Sequence, residues 1–571
     1  MQGQPFIWKG KTLLSGIDPV RRAERTADAV SVTDRTLYFC PSPLYGYGLE
    51  RFLERLAANA PNSALLCIEA DTELYELSLK NIDPSLANNQ MLRITNFCES
   101  GALCALVKQT WGSRAFRRVE PVRFSGGWQL YPELYNSLAE SLRMEIATDW
   151  SNALTLTMLG RLYIRNALRN LALVPRFPSI ERLTFGEEPV LVLGAGPSLD
   201  TFLDGLASRF GQALQAAERR AFKIICVDTC LGALRDRNIA PDLAVILESQ
   251  HWNLRDFTGC RGWNVPAAID LSALPQSGHM LGGGMFLFAT MWAELTVFQR
   301  LKAAGLLPVC VPPLGSVGLT AVEIALRLTR GTIITAGIDF SFTLDKYHAR
   351  STPGHRDKLA AHTRFRSLLN AAPAFDSSAF GAVSKAGLSV RSNPAMRNYR
   401  SLFEREFAHI TRLFDVAGSG LPLGLKSLSE EEAFAVLARA GEQSTAGLTP
   451  EQQPPCNMDA LAEKLKSFLS AEKSRLAALR NILTGGSADQ QRLNTLIDEC
   501  DYLWAHFPDC AGCQQPSYQP GRRSIAAEIS TVGSDSRAIS FLKRLRAEID
   551  PALALLERTL REVEITIMAL S

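Results

Sequence analysis

The chain has 571 residues, 46% apolar and 21% charged, an ordinary globular composition able to bury a core. With 61 basic against 58 acidic residues the net charge is +3, and bulk charge gives nucleic-acid binding no support. The opening Met-Gln-Gly-Gln-Pro-Phe-Ile-Trp-Lys-Gly lacks the apolar core of a signal peptide, and no stretch of about 18 apolar residues occurs, which predicts a cytoplasmic chain without membrane insertion. The twelve cysteines are then read as reduced, with Cys40, Cys67, Cys226 and Cys310 acting as small hydrophobes in apolar strands.

At roughly 150 residues per domain the length predicts about three domains. Residues 1 to about 30 read as a lead-in. Thr36 to Cys40 is a predicted strand, followed by Pro-Ser-Pro-Leu-Tyr-Gly-Tyr-Gly, a helix from Leu49, and a second strand, Ala64 to Ile68, ending in Glu69. The order is Rossmann-like, but two prolines and two tyrosines stand where a tight glycine turn is wanted. A degenerate structural domain is therefore favoured over a nucleotide or methyl-donor site. Trp111, Phe116, Trp128, Tyr131 and Tyr135 are read as packing between domains rather than as a sugar-stacking platform. Helical patterning through Leu154, Leu159, Ile164, Leu168 and Leu171 ends at Pro175. Residues 1–150 are thus expected to form a small Rossmann-like accessory domain, with linker helices to about 185.

The most informative stretch is Pro189 to Asp200, Pro-Val-Leu-Val-Leu-Gly-Ala-Gly-Pro-Ser-Leu-Asp. Val190 to Leu193 is a buried strand by its apolar, β-branched content. Gly194 and Gly196 permit a sharp turn and close ligand approach, and Pro197 suits the first turn of a helix near Ser198, whose free N–H groups favour anions. Further strands follow at Lys223 to Val227, ending in Asp228-Thr229; at Leu243 to Leu247, ending in Glu248; and at Thr332 to Ala336, running into Gly337-Ile338-Asp339. In a parallel sheet these ends share the edge where open α/β folds bind ligands. Between them, Gly282-Gly283-Gly284 reads as a mobile loop, a close ligand approach or a disordered connector. Val309 to Val311 then leads through Gly315-Ser316 into a helix past Ala321 and Leu328.

After Asp339 come Tyr347-His348, Arg350, His355, Arg356, Lys358, His362, Arg364 and Arg366. The cluster suits a donor bearing phosphate and carboxylate, and a solvated polar face is the competing reading. The seven-residue histidine spacing disfavours a metal site. Val416 to Gly424 reads as the linker out of a central domain spanning 186–415. Residues 425–571 form an all-helical tail for packing or protein–protein contact. In it Ser429 and Glu432 make a capping box, Leu461, Leu465, Phe468, Leu469, Leu476, Leu479 and Leu483 stripe one helix, and Ile539 to Leu570 form another, kinked at Pro551. Cys510-Ala-Gly-Cys513, with Cys500 and His506, is an incomplete zinc motif.

Gly-Ala-Gly-Pro-Ser-Leu-Asp, Asp-Thr-Cys-Leu-Gly-Ala-Leu, Ile-Ala-Pro-Asp and Gly-Ile-Asp-Phe-Ser-Phe, in this order and spacing, resemble the motility accessory factor (Maf) family of flagellin glycosyltransferases. That family's central domain is similar to a pterin pyrophosphokinase and, more distantly, to bacterial sialyltransferases. The resemblance covers roughly residues 30 to 400 and is expected to take in the helical tail. It implies a Rossmann-like, sialyltransferase-like central parallel sheet that transfers a pseudaminic or legionaminic type of nonulosonic acid from a CMP-activated donor to Ser or Thr of flagellin. By the same resemblance Gly194, Gly196, Pro197 and Ser198 would cradle phosphate or ribose, Asp228 and Thr229 would meet the nucleoside, and Gly315 and Ser316 the base or phosphate. Arg350 belongs to the donor-binding cluster. The Gly-Ser order at 315–316 reverses the sialyltransferase pattern. For the general base, His348 is preferred on its ordinary pKa, with Asp339 and Glu248 as alternatives; a second reading has Asp339 orient the acceptor or brace the loop. No cofactor is required, magnesium being compatible, and a flagellin chaperone is a further partner suggested for the helical tail. Two other readings stay open: a pyrophosphokinase using ATP and magnesium held by Asp228, Glu248 and Asp339, and a non-catalytic flagellin-binding assembly factor.

Overall fold

Short, almost wholly apolar strands have no polar face to turn to water, so they belong in a sheet covered on both sides. Such strands form the middle of two parallel sheets, which have thirteen strands in all. The computed structural model describes residues 5–112, 114–215, 220–344, 346–367, 376–443, 458–485, 490–507, 510 and 536–570. They fall in two compact units, one within 1–160 and 504–533, the other within 161–503 and 534–571.

In the first unit β1 (Thr36–Pro41), β2 (Ala64–Ile68), β3 (Leu92–Thr95) and β4 (Arg118–Pro121) pair in parallel in the order β3-β2-β1-β4. The expected lead-in is itself structured. Phe6–Trp8 and Lys11–Leu14 form an antiparallel hairpin, followed by a helix over Pro19–Ala29. The hairpin reaches the strand-end edge, where Trp8 Nε1 (3.3 Å) and Lys9 Nζ (2.6 Å) donate to the carboxylate of Asp71, as does Tyr131 Oη at 3.2 Å. Behind it Ser42 Oγ donates to Glu69 at 2.5 Å, and burial lifts the Glu69 carboxyl to about 7. Phe116 and Tyr135 are buried in this unit's own core, with Trp111, Trp128 and Tyr131 packed against it. The aromatics therefore pack, but inside the unit.

The second unit contains nine parallel strands: β5 (Val190–Leu193), β6 (Lys223–Val227), β7 (Leu243–Ile246), β8 (Val265–Asp270), β9 (Gly282–Thr290), β10 (Cys310–Val311), β11 (Ile333–Ala336), β12 (Leu413–Val416) and β13 (Lys426–Leu428). Their order is β10-β9-β8-β7-β6-β5-β11-β12-β13. The chain winds outward from β5 to β10, returns through a helix over Val317–Leu328, and resumes on the other side of β5. The direction of winding thus reverses between β5 and β11, and ligand crevices form at such a switch point.

Two expectations are corrected here. The glycine triplet is no loop but the start of β9, where a Cβ on Gly283 would lie 2.3 Å from Val265 backbone, so close strand approach demands the missing side chain. The expected linker at 416–424 begins inside β12 and connects to β13, so the sheet continues past it.

Helix α1 (Pro132–Asn170) is a single 39-residue helix. The capping box is reciprocal: Ser429 N donates to Glu432 (2.8 Å) and Glu432 N to Ser429 Oγ (3.2 Å). The tail packs as α5 (Met458–Gly485) and α6 (Ser536–Leu570), burying Leu465, Leu469, Leu476 and Leu479. It belongs to the same unit as the nine-stranded sheet. Arg300 forks onto buried Glu472 at 2.7 and 2.9 Å, and Asp501 accepts from Thr296 N at 2.9 Å. Of the incomplete zinc motif, Cys513 lies outside the described residues, while Cys500 and Cys510 are buried. Among the described residues no helix is long and apolar enough to cross a membrane.

Candidate functional site

At the switch point the ends of β5 and β11 press together backbone to backbone. Gly196 N donates to Gly337 O at 2.8 Å. A Cβ on Gly194 would lie 2.5 Å from Gly337 O, and one on Gly196 2.5 Å from Asp339 Oδ2. Glycine is thus dictated by this approach. The helix that follows, α2 (Leu199–Phe210), has an acceptor at its start: Asp339 takes hydrogen bonds from Ser198 N (2.7 Å) and Ser198 Oγ (2.6 Å). The carboxylate satisfies an orphan donor and meets the positive end of the helix dipole. The anion expected at Gly194, Gly196, Pro197 and Ser198 is therefore supplied by the chain itself.

Asp339 is 2% exposed, and burial raises its carboxyl pKa against the nearby charge of Lys385. Lys385 is in turn held by Asp415, which also accepts from Thr335 Oγ1 at 2.8 Å. Leu421 N donates to Asp339 O at 2.7 Å, closing the 417–424 loop over it. Burial and Ser198 engage both oxygens of Asp339, so its carboxylate braces the glycine loop. The next residue, Phe340, has φ 48°, an uncommon value for an aromatic, with Ser392 Oγ donating to its carbonyl at 2.9 Å.

The segment after Asp339 folds back over the glycine loop, with Ala349 N donating to Ala195 O at 3.0 Å. Asp200, the last residue of the glycine motif, organises it. It accepts from Lys346 Nζ (2.9 Å), Arg350 N (3.0 Å) and Arg237 Nη2 (3.3 Å), and against the cost of burial these hold its carboxyl below the usual range. Arg350 also pairs with Asp204 at 2.7 Å. This corrects its expected role, since its charge already faces two carboxylates. Of the other cations in this cluster, Arg356 pairs with Asp236 at 3.3 Å, and Lys358 lies over the Tyr347 ring at 5.7 Å.

His348 is half-buried beside Tyr347, with ring centroids 4.7 Å apart and planes at 89°. Burial, then the charge of Lys358, lower its pKa to about 4, so the imidazole is neutral at pH 7. A Cβ on Gly354 would lie 3.3 Å from Nδ1, which therefore faces the start of the helix over Pro353–Ala361.

At the end of β6 the carboxylate of Asp228 accepts from Thr229 N (2.8 Å) and Asn253 Nδ2 (2.7 Å), and Asn253 also donates to Asp256 at 3.0 Å. Burial raises Asp228 to about 6; burial and the charge of Asp228 raise Asp256 to about 7. Glu248, after β7, is exposed and accepts from Gln250 N at 2.9 Å. Gly315 has φ 69° and stands against Tyr399, whose ring would lie 3.1 Å from an added Cβ. Ser316 begins the helix over Val317–Leu328, and no side chain caps that start. Ile338 approaches both Gly194 and Gly318, placing this uncapped helix start beside the switch point.

Asp228, Glu248 and Asp339 sit on three different strand ends, and no three His, Cys, Asp or Glu side chains among the described residues converge on a metal-sized site. The carboxylate set read for magnesium does not fit one ion. Sequence reasoning passed over Asp200, although it lies within the glycine motif. Lys385, Asp415, Asn253, Asp256 and Tyr399 carried no local signal, being brought in by long-range packing.

With this geometry in place, comparison with known proteins becomes informative. The profile of the family described as 6-hydroxymethylpterin diphosphokinase MptE-like matches residues 165–345. This central region is similar to that family. The match bears out the pterin-pyrophosphokinase-like character of the central motifs, and it spans β5 through β11. A protein of Treponema pallidum (strain Nichols), described as uncharacterized, is 27% identical over 555 residues, covering 94% of this chain and 90% of its own. A solved structure described as a MAf glycosyltransferase from Magnetospirillum magneticum AMB-1 aligns over 99% of this chain and 85% of its own, with 15% identity and a TM-score of 0.48.

Proposed function

We propose that this chain is a glycosyltransferase that moves a nonulosonic acid of the pseudaminic or legionaminic type from a CMP-linked donor to a Ser or Thr hydroxyl of flagellin. The reading rests on the four motifs that resemble the Maf family and on the MptE-like central region. The observations that carry it are the helix start at Ser316, which no side chain caps, and the neutral imidazole at His348, on the segment that follows the strand end at Asp339.

In this mechanism the donor phosphate lies at the N–H groups following Ser316, where the helix dipole stabilises the charge that grows as CMP departs. Thr229 and exposed Glu248 bind sugar or nucleoside hydroxyls. The acceptor oxygen bonds to the anomeric carbon, the bond from that carbon to the phosphate oxygen breaks, and CMP leaves with the electron pair. His348 takes the acceptor proton. Flagellin and the CMP-sugar are the partners, a flagellin chaperone on the helical tail is a further one, and the reaction is placed in the cytoplasm.

The pyrophosphokinase reading is favoured by the matched family's description. A thermal-shift panel of CMP, UMP, GDP and ATP with magnesium separates the two, since a ligand at about a hundred times its dissociation constant stabilises by roughly 2.7 kcal/mol. CMP alone should raise the Tm, and mass spectrometry should then find the sugar on flagellin. A shift only with ATP and magnesium moves the assignment to the kinase. No nucleotide binding, and flagellin that needs this chain for assembly yet carries no sugar, would leave an assembly factor as the better account.

A further inference from the structure

Helix α1 ends at Asn170, and the chain turns past Pro175 to Arg176 and Phe177. Between this turn, the loop at 275–279 and the end of α6 lies a cavity of about 750 Å³, well within the size of small-molecule sites. None of the residues assigned to the transferase lines it.

Its walls are of two kinds. Arg169 and Arg176 line it, the exposed Arg176 with its guanidinium 5.5 Å from the Phe177 ring, and no carboxylate lies within ion-pair distance of either among the described residues. Nε of Arg169 is buried without a hydrogen-bond partner, an arrangement that costs stability unless an acceptor arrives. Burial and then the nearby charge of Arg558 lower the Arg169 pKa, with the charge of Glu562 opposing them. Glu562 is the acid on the wall, and it is engaged by Arg558 at 3.1 Å. The remaining surface is largely apolar, including Leu173, Phe177, Pro275 and Met458, and Ile565 stands 62% exposed at its edge.

We propose that this cavity binds an anionic amphiphile, its phosphate or carboxylate head between Arg169 and Arg176 and its apolar body against Leu173, Phe177 and Ile565. Guanidinium forks suit such oxyanions, and the apolar wall selects a ligand with a body over a bare ion. The cavity's 275–279 wall is tied to the strand-end edge. Ser277, two residues past Pro275, donates to Asn253 at 2.8 Å, and Asn253 holds Asp228.

Calorimetric titration of the full chain tests this with decyl phosphate, decyltrimethylammonium and inorganic phosphate, each below micelle formation. Decyl phosphate should bind saturably at one site, at least ten-fold more tightly than either control. Arg169→Gln with Arg176→Gln should weaken it ten-fold or more, with thermal unfolding as the check on folding. Ile565→Asp, at an exposed position, should weaken it separately. Equal binding of decyltrimethylammonium, phosphate binding as tight as decyl phosphate, no binding at all, or unchanged affinity in both variants would each overturn the proposal.

Discussion

The two parallel sheets end in the same kind of edge and use it differently. In the N-terminal unit the strand-end acid, Glu69, is fully buried under Ser42 and Tyr135, and the neighbouring Asp71 is covered by Trp8 and Lys9 from the unit's own hairpin. In the nine-stranded unit one helix start is closed by Asp339, while Ser316, Thr229 and His348 are half-buried and Glu248 is exposed. An edge is a site only where polar groups remain unsatisfied and reachable. The first sheet has satisfied its own; the second has kept some free.

That contrast can be broken at several points. The largest effect is expected at His348: His348→Ala should lower the transfer rate by roughly 10²-fold or more while leaving CMP binding within a few-fold. In the wild type the lowered pKa places the acid limb of the rate profile near pH 4, so activity should stay flat from pH 5 to 8. A limb near 6.5 would remove His348 from the role of base. Next in size is Asp339→Ala, which strips the cap from α2 and leaves buried Lys385 with fewer counter-charges. Denaturant unfolding should show a loss on the order of 3 kcal/mol. A loss below about 1 kcal/mol would mean the closed helix start is not what holds the switch point together.

Ser316→Ala tests the open helix start more gently. Losing one hydroxyl contact should weaken CMP binding by about 1 kcal/mol, or roughly five-fold, as read by titration. The smallest effect belongs to the satisfied edge. The Glu69 carboxyl is raised from 4.5 to about 7, so its protonated form is favoured in the fold, and its contribution to stability fades as pH rises through 7. Glu69→Gln should therefore unfold at a higher temperature than wild type at pH 8, by roughly 2 °C or more, and show a flatter pH dependence between 5 and 8. It should leave CMP affinity unchanged; a change there would mean the first edge is not merely structural.

Much of the fold was legible because its signals are local. Apolar runs such as Val190–Leu193 and Lys223–Val227 are strands in any α/β context, and Ser429 with Glu432 is a cap by spacing alone. Where reading failed, a local signal had two meanings. Gly282–Gly284 looks like a loop because glycine is permissive, yet it is needed where β8 and β9 approach too closely for a Cβ. Gly418, Gly420 and Pro422 look like a linker, yet Gly420 is needed because a Cβ there would come within 2.7 Å of Asp339. Arg350 looks like a ligand fork until its partners, Asp200 and Asp204, some 150 residues away, are in view.

By itself the sequence determined that this chain would build a parallel sheet whose strand ends gather small and acidic residues, because burial of apolar runs and the turn demands of glycine act over a few residues. Only the tertiary structure decided which of those ends were already satisfied. The partner of Ser198 is Asp339, the counter-charge of Asp415 is Lys385, and the lid on Asp71 is a hairpin from the N-terminal region. Hydrogen bonds and charges pair by distance in space. The same carboxylate therefore caps a helix or meets a ligand according to what the rest of the chain brings beside it.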